Sequence, residues 1–401
     1  MKKLKLGVID KNGVLENIIL FFIFLFSLNF MNKSNYLLLI CFIFTLLYGY
    51  ISKKKIYITI EFLILTICFT AYFIIYQYFF QISLQSFITF WFGPILGYFI
   101  GYIMVSSVNC FKLTYRIIFS IVLGTFLHGV LNMAFFVNLK VGEARVVTDI
   151  WLKSPIAATL QNIFFVMFIS LLFYAFFICK KYYIKITLFI GTIFIIISTI
   201  NTASRTILYI ASIVFIINIC LYVYLNKSQK KKVLKIIFFT SVLIIIFIIF
   251  YKNNMFNIKT WYENSALALR FKSSEIDSAN DPRFKAQLEV IKNMLIYPMG
   301  GGKINLSIGY AHNLWLDVIR VGGLIPGVLL IMYTIGTIKT LIRFLKSKFI
   351  QNNIKYIILS IYFGLTLNFM TEPILDGVPY MFVMMCILNG VTKKVLELRS
   401  C

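Results

Sequence analysis

The sequence predicts an all-α, polytopic membrane protein with about 12 transmembrane helices. Three observations carry that prediction. Of the 401 residues, 60% are hydrophobic and 17% aromatic but only 13% charged, about half the charged share of an ordinary soluble domain, so the chain lacks material for a water-facing exterior. Apolar runs of bilayer length recur along nearly the whole chain and leave no separate soluble domain. Basic residues gather at alternate connections between those runs.

The runs fall at about 17–31, 36–51, 56–80, 87–108, 115–137, 155–178, 183–200, 205–225, 234–251, 313–338, 356–371 and 378–392. With the N-terminus inside, the inner segments are MKKLKLGVIDK, SKKK, Lys112 to Arg116, KKYYIK, NKSQKKKVLK, KTLIRFLKSKFIQNNIK and the KKVLELRS tail. They hold 25 of the 39 Lys and Arg and leave 14 for the outer side, a positive-inside bias that places both termini in the cytoplasm. The first run is followed by further spans rather than a small-residue cleavage site, so it reads as a span and not a removable signal. The net charge of +25 therefore records topology, and no nucleic-acid partner is expected. Residues 1–401 read as one integral membrane domain. Its long extracytoplasmic loop, 252–312, joins the ninth and tenth spans.

Seven cysteines, at 41, 68, 110, 179, 220, 386 and 401, contain no Cys-x-x-Cys pair; they read as packing residues, with neither disulfide nor zinc indicated. The outer loops are short except 138–154 and 252–312, and a loop of the second length is usually functional or disordered. Inside it, DPRFKAQLEVIKNMLIYP spaces Phe284, Leu288, Ile291 and Leu295 by 4, 3 and 4, the pattern of an amphipathic helix lying on the membrane or on other loops. Asp281 and Pro282 would start it and Pro298 stop it. No internal repeat or pair of related halves is visible.

Three constellations could carry chemistry. In STINTASRTILYIAS, Arg205 stands at a predicted outer boundary beside Asn201, Thr202, Ser204 and Thr206, either as a snorkelling side chain or as a fixed cation for a phosphate or carboxylate. Arg270 and Arg283 lie thirteen residues apart in the long loop. Several cations facing one compartment could bracket a diphosphate, although loop charges are commonly just solvated. Between them Glu275, Asp277 and Asp281 lack the Gly and closing Glu of a calcium loop and read as a solvated turn. His312 stands at the head of the tenth span with Asn313, Trp315 and Asp317, either as a hydrogen-bonded interfacial histidine or as a group that exchanges a proton near neutrality. Asp317 and Arg320 suit a structural pair on one helix face. His128, in TFLHGVLN, reads as a satisfied core histidine. PMGGGK lacks the Ser or Thr and the Gly spacing of a phosphate loop and reads as a flexible turn. Carboxylates do not cluster in NFMNKSN or QISLQS, so arginines rather than a metal would supply positive charge. No metal or other cofactor is expected.

In order and side, Ser204-Arg205, Arg283, YPMGGG and AHNLWLDVIRVGGLIPG resemble the O-antigen ligase and polymerase family. Its members carry an outward Ser-Arg between two spans, then a long loop running from an arginine through an amphipathic helix to Pro-x-x-Gly-x-Gly and His-Asn-x-x-Leu. The resemblance covers about 195–335 by motif. It departs at Lys303, where the second Gly of the turn would fall, and at Val321, preceded by Arg320, where a Glu is common. It implies a GT-C-like glycosyltransferase in the cytoplasmic membrane of a bacterium, acting on undecaprenyl-diphosphate-linked glycan as donor and acceptor, with chain-length regulator and flippase proteins as partners. A polymerase adds the growing chain to the next repeat unit; a ligase moves finished glycan to another acceptor. The resemblance implies catalytic roles for His312, Arg205 and Arg283, and substrate binding by Arg270, Ser204 and Asn313. The competing classes are a flippase, which would place charges deep in several spans, and a membrane scaffold. Apart from Glu61, Asp317 and Arg320 the predicted spans are nearly free of charge, which disfavours the flippase.

Overall fold

A computed structural model describes residues 11–54, 56–81, 83–105, 109–136, 146–177, 179, 181–226, 234, 238, 241–242, 245–246, 248–272 and 281–398. A helix occupies each predicted span from the first to the eighth: α1 Lys11–Ser27, α2 Ser34–Ile51, α3 Ile60–Phe79, α4 Leu84–Met104, α5 Cys110–Phe136, α6 Ala158–Phe177, α7 Tyr182–Asn201 and α8 Arg205–Leu225. The ninth predicted span, 234–251, lies partly outside the described residues. Next come the short helices α9 Ile258–Glu263 and α10 Ala266–Lys272, then α11 Pro282–Asn293, α12 Leu314–Gly322, α13 Leu324–Lys346, α14 Asn352–Phe369, α15 Ile374–Gly377 and α16 Pro379–Glu397. Among the described residues seven helices are long and apolar enough to cross a membrane: α2, α3, α4, α7, α8, α13 and Cys110–Ala134 of α5. The protein is an all-α membrane protein.

Three sequence expectations are corrected. The predicted sixth span opens three residues late, because Val146–Thr148 pairs antiparallel with Pro155–Ala157, Val146 opposite Ala157 and Thr148 opposite Pro155. The predicted tenth span, 313–338, is two helices, α12 and α13, parted at Gly323. Hydropathy alone could not show that break, because both sides of it are apolar. Cys41, Cys68, Cys179, Cys220 and Cys386 are free, but Cys110 is disulfide-bonded, which the lack of a Cys-x-x-Cys pair did not announce.

The chain divides into two compact units, residues 1–124 with 325–349 and 379–401, and residues 125–324 with 350–378. In the first, α16 packs on α4 so closely that a Cβ at Gly101 would stand 1.9 Å from the Ile387 carbonyl oxygen and one at Gly390 2.0 Å from that of Tyr98. Small residues at a crossing let backbones approach where apolar burial cannot separate protein from lipid. Glu61, one of the rare charges noted in a span, is paired: Lys393 Nζ lies 2.9 Å from its Oε2, and Thr340 Oγ1 donates to its Oε1 at 3.2 Å.

The second unit is organised around α14. Asn352 Nδ2 donates to the Leu225 carbonyl at 2.9 Å, Ser360 Oγ donates to Asn218 Oδ1, and Leu367 packs against Ile210 and Val214. Each step up α14 thus matches a step down α8, so the two run antiparallel. On another side of α14, Ser170 Oγ of α6 donates to the Ser360 carbonyl at 3.1 Å. The two buried links at Ser360 satisfy polar groups helix to helix, where no water can.

Candidate active site

The second unit brings the residues singled out in the long loop to the end of the bundle where α8 opens and α14 closes. The loop is held there by α11, which Asp281 caps by accepting the Arg283 backbone N–H at 2.8 Å, with Pro282 at the first position; that start agrees with the sequence. Its buried face is not the predicted stripe. Ala286 and Val290 are buried, Val290 packing with Ile304, Ala311 and Ile319, while Phe284, Leu288, Ile291 and Leu295 are exposed. The exposed stripe suits a helix resting on the membrane.

His312 owes its position to Asp317 and to a glycine clamp. Asp317 Oδ1 accepts the N–H of Ala311 at 2.8 Å and Oδ2 that of Asn313 at 3.2 Å. One carboxylate therefore grips the backbone on both sides of His312, which is held in the left-handed region at φ 53°. That conformation is uncommon for a residue with a Cβ and costs energy that the surrounding bonds must offset. Asn313 caps α12, its Oδ1 accepting from the N–H of Trp315 and Leu316 at 3.2 and 3.3 Å. At the other end of α12 the Gly301 N–H donates to the Val321 carbonyl at 2.8 Å and the Gly302 N–H to that of Arg320 at 3.0 Å. The PMGGGK segment, expected as a flexible turn, is a turn whose three left-handed glycines dock two backbone N–H groups on the last carbonyls of α12. A Cβ at Gly300 would stand 2.4 Å from the Gly323 nitrogen, so the two glycine positions seat against each other and set the α12–α13 break.

Arg283 and His312 meet at Glu372, which the sequence reading did not single out. Arg283 Nη1 donates to Glu372 Oε1 and to the Thr371 carbonyl, each at 3.2 Å. His312 Nδ1 stands 3.7 Å from Glu372 Oε2, with 17% of the His312 side chain exposed against 1% for Glu372. Glu372 follows a 60-residue gap from His312, and no helical or loop periodicity links them; only the register of α14 brings it to this end. Its one sequence signal was a carboxylate at the end of an apolar run.

Arg205 and Arg270 form a second group. Arg270 Nη1 donates to the Ala203 carbonyl at 2.6 Å, and the Arg205 guanidinium lies 5.9 Å from the centre of the neighbouring Phe271 ring. Ser204 begins α8 without capping it; its hydroxyl is buried and unpaired. The expected Asp317–Arg320 pair is long, 3.9 Å, because Asp317 serves the backbone first. Arg320 instead faces Tyr310 at 5.8 Å, and Tyr310 stands edge-on to His312 with centroids 6.4 Å apart. Glu275 and Asp277 lie outside the described residues.

Electrostatically this end joins fixed guanidinium cations to buried carboxylates. Burial pushes the Asp317 carboxyl up to about 6, against the pull of the Ala311 hydrogen bond. Three buried side-chain atoms around His312, its own Nδ1, Arg320 Nε and Glu372 Oε2, have no hydrogen-bond partner. Since buried polar groups are nearly always paired, such a cluster marks a place that a ligand or water completes. The arrangement can hold an anion through planar guanidinium forks and move a proton through His312. No protein-family model and no curated protein matches the chain.

Proposed function

We propose that the protein is a membrane glycosyltransferase that polymerises undecaprenyl-diphosphate-linked polysaccharide repeat units at the outer face of a bacterial cytoplasmic membrane. One observation carries the reading: Arg283 and His312 converge on the same buried carboxylate, Glu372. Cations beside one proton acceptor are what glycosyl transfer from a lipid diphosphate demands. The bond from the anomeric carbon to the phosphate oxygen breaks, and negative charge grows on the departing diphosphate. Arg205 and Arg283, with Arg270, stabilise that charge. The acceptor hydroxyl oxygen forms the new bond to the anomeric carbon and its proton passes to His312. The polyprenyl tail lies among the spans, beside the exposed apolar stripe of α11.

Purified protein in liposomes, supplied with a lipid-linked repeat unit, should build a ladder of products. Undiminished ladders from both Arg205→Ala and His312→Ala would sink the assignment. Lipid extracts of cells lacking the protein separate the neighbouring activities: single repeat units on the outer face mark a polymerase, finished polymer left on its lipid a ligase, and units stranded inside a flippase.

A further inference from the structure

We infer that Glu372 is the positioning residue of this site: its carboxylate sets the tautomer of His312 so that Nε2 is the open, proton-accepting nitrogen, while its other oxygen anchors Arg283. The consequence for transfer rests on the glycosyltransferase reading; the tautomer itself does not.

The geometry is specific about which atom does what. Glu372 is almost wholly buried, and its two oxygens diverge, Oε1 taking the Arg283 Nη1 hydrogen bond at 3.2 Å and Oε2 turning to His312 Nδ1 at 3.7 Å. His312 Nδ1 and Glu372 Oε2 are both buried and both without a hydrogen-bond partner. They are separated by a few tenths of an ångström more than a hydrogen bond allows, a gap of the kind that closes when substrate orders a site. An ionised carboxylate only accepts, so the ring nitrogen facing it must carry the hydrogen. The neutral ring then presents a lone pair at Nε2, on the side away from Glu372. Asp317 makes the complementary contribution, since its two hydrogen bonds fix the backbone around His312 and leave the ring as the part that Glu372 must orient. Glu372 is too deeply buried to meet a sugar, so it acts through His312 and Arg283 alone.

His312→Gln assigns the signals of a protein with two histidines, so nitrogen-15 NMR of histidine-labelled protein in detergent reads the ring directly, at a pH where it is neutral. The expected spectrum has a protonated Nδ1 and an unprotonated Nε2 at His312. His128, whose Nε2 faces Asp149 Oδ2 at 2.9 Å, should show a protonated Nε2 as an internal reference. In Glu372→Gln the amide oxygen stays with Arg283 and the amide N–H groups turn to His312, so the hydrogen moves to Nε2. Ladder formation in the same variant should fall by about 10²-fold or more, and Glu372→Asp should restore part of it. An Nε2–H tautomer in the wild-type protein overturns the inference without any variant, as does an unchanged tautomer in Glu372→Gln. A tautomer that flips as expected in a protein that makes no ladder from lipid-linked repeat units leaves Glu372 in place and refutes the glycosyltransferase reading instead.

Discussion

His128 lies 2.9 Å from Asp149 Oδ2 with its ring fully buried, whereas His312 stands 3.7 Å from Glu372 Oε2 with part of its side chain open. The first pair is complete. The His128 ring stacks on Phe164 at 4.4 Å, and Asp149 Oδ1 accepts the N–H of Trp151 at 2.8 Å and of Leu152 at 2.9 Å. Beside them Asn132 Oδ1 accepts the Ile150 N–H at 2.9 Å, Asn132 Nδ2 donates to Gln161 Oε1 at 3.0 Å, and Gln161 Nε2 donates to the Gly129 carbonyl at 2.8 Å. Every group has an answer, and the result is a clamp that ties the 146–157 hairpin to α5 and α6. Around His312 the partners are arranged but not closed: Nδ1, Oε2 and the neighbouring Arg320 Nε are unpaired, and the backbone is left-handed. A satisfied buried network specifies structure; an unsatisfied one held by strained backbone is poised for a ligand.

Breaking the comparison outright takes the two histidines. His312→Ala should stop chain growth, a loss of about 10²-fold to 10⁴-fold, with a thermal midpoint near that of the wild type. His128→Ala should do the reverse, losing about 3 kcal/mol of stability because Asp149 is left buried without its partner, while the protein that remains folded stays active. Ladder assays and detergent melts on both variants would invert the assignment if the effects were exchanged. Next in size, Arg283→Ala should slow transfer by about 10²-fold to 10³-fold, and Arg283→Lys should recover little, because an ammonium that serves the Glu372 oxygen and the Thr371 carbonyl has no second nitrogen to present to a diphosphate.

The two aspartates sharpen the contrast through opposite pH signs. Burial pushes the Asp149 carboxyl up, but the His128 hydrogen bond and charge with the Leu152 and Trp151 N–H groups outweigh it and hold the carboxyl below the usual range. Its stabilisation is therefore full above about pH 4 and lost as pH falls below that. Asp317 is raised to about 6, so its anion costs stability above pH 6 and the fold gains as pH falls from there toward about 4. Melts across pH should show Asp317→Asn flattening the gain between 6 and 4 and Asp149→Asn removing the loss below it. The smallest effect belongs to Asn313→Ala, which should cost about 1 kcal/mol through the lost cap of α12.

Much of the bundle was legible because bilayer thickness imposes a length on apolar runs: helices stand at the predicted positions of α1 to α8 and of α13, α14 and α16. Asp281 and Pro282 announced the start of α11 because capping chemistry is local. The α12–α13 break was hidden, since it depends on Gly323 meeting Gly300 across the turn. Glu372 was hidden for the same kind of reason. A lone carboxylate after an apolar run gains meaning only when another segment delivers a guanidinium and an imidazole to it.

By itself the sequence determined what solvent chemistry and local geometry dictate: a membrane-embedded all-α chain, its basic loops, the cap of α11, and the residue types able to bind anions and carry a proton. Tertiary structure alone decided their partners. Arg283 and His312 meet at Glu372, Asp317 turns from its helical neighbour to the backbone on either side of His312, and one histidine is sealed while the other is left open. Those choices rest on contacts between residues far apart in the chain, whose free energy depends on burial and mutual orientation, and neither quantity is written in any local stretch of residues.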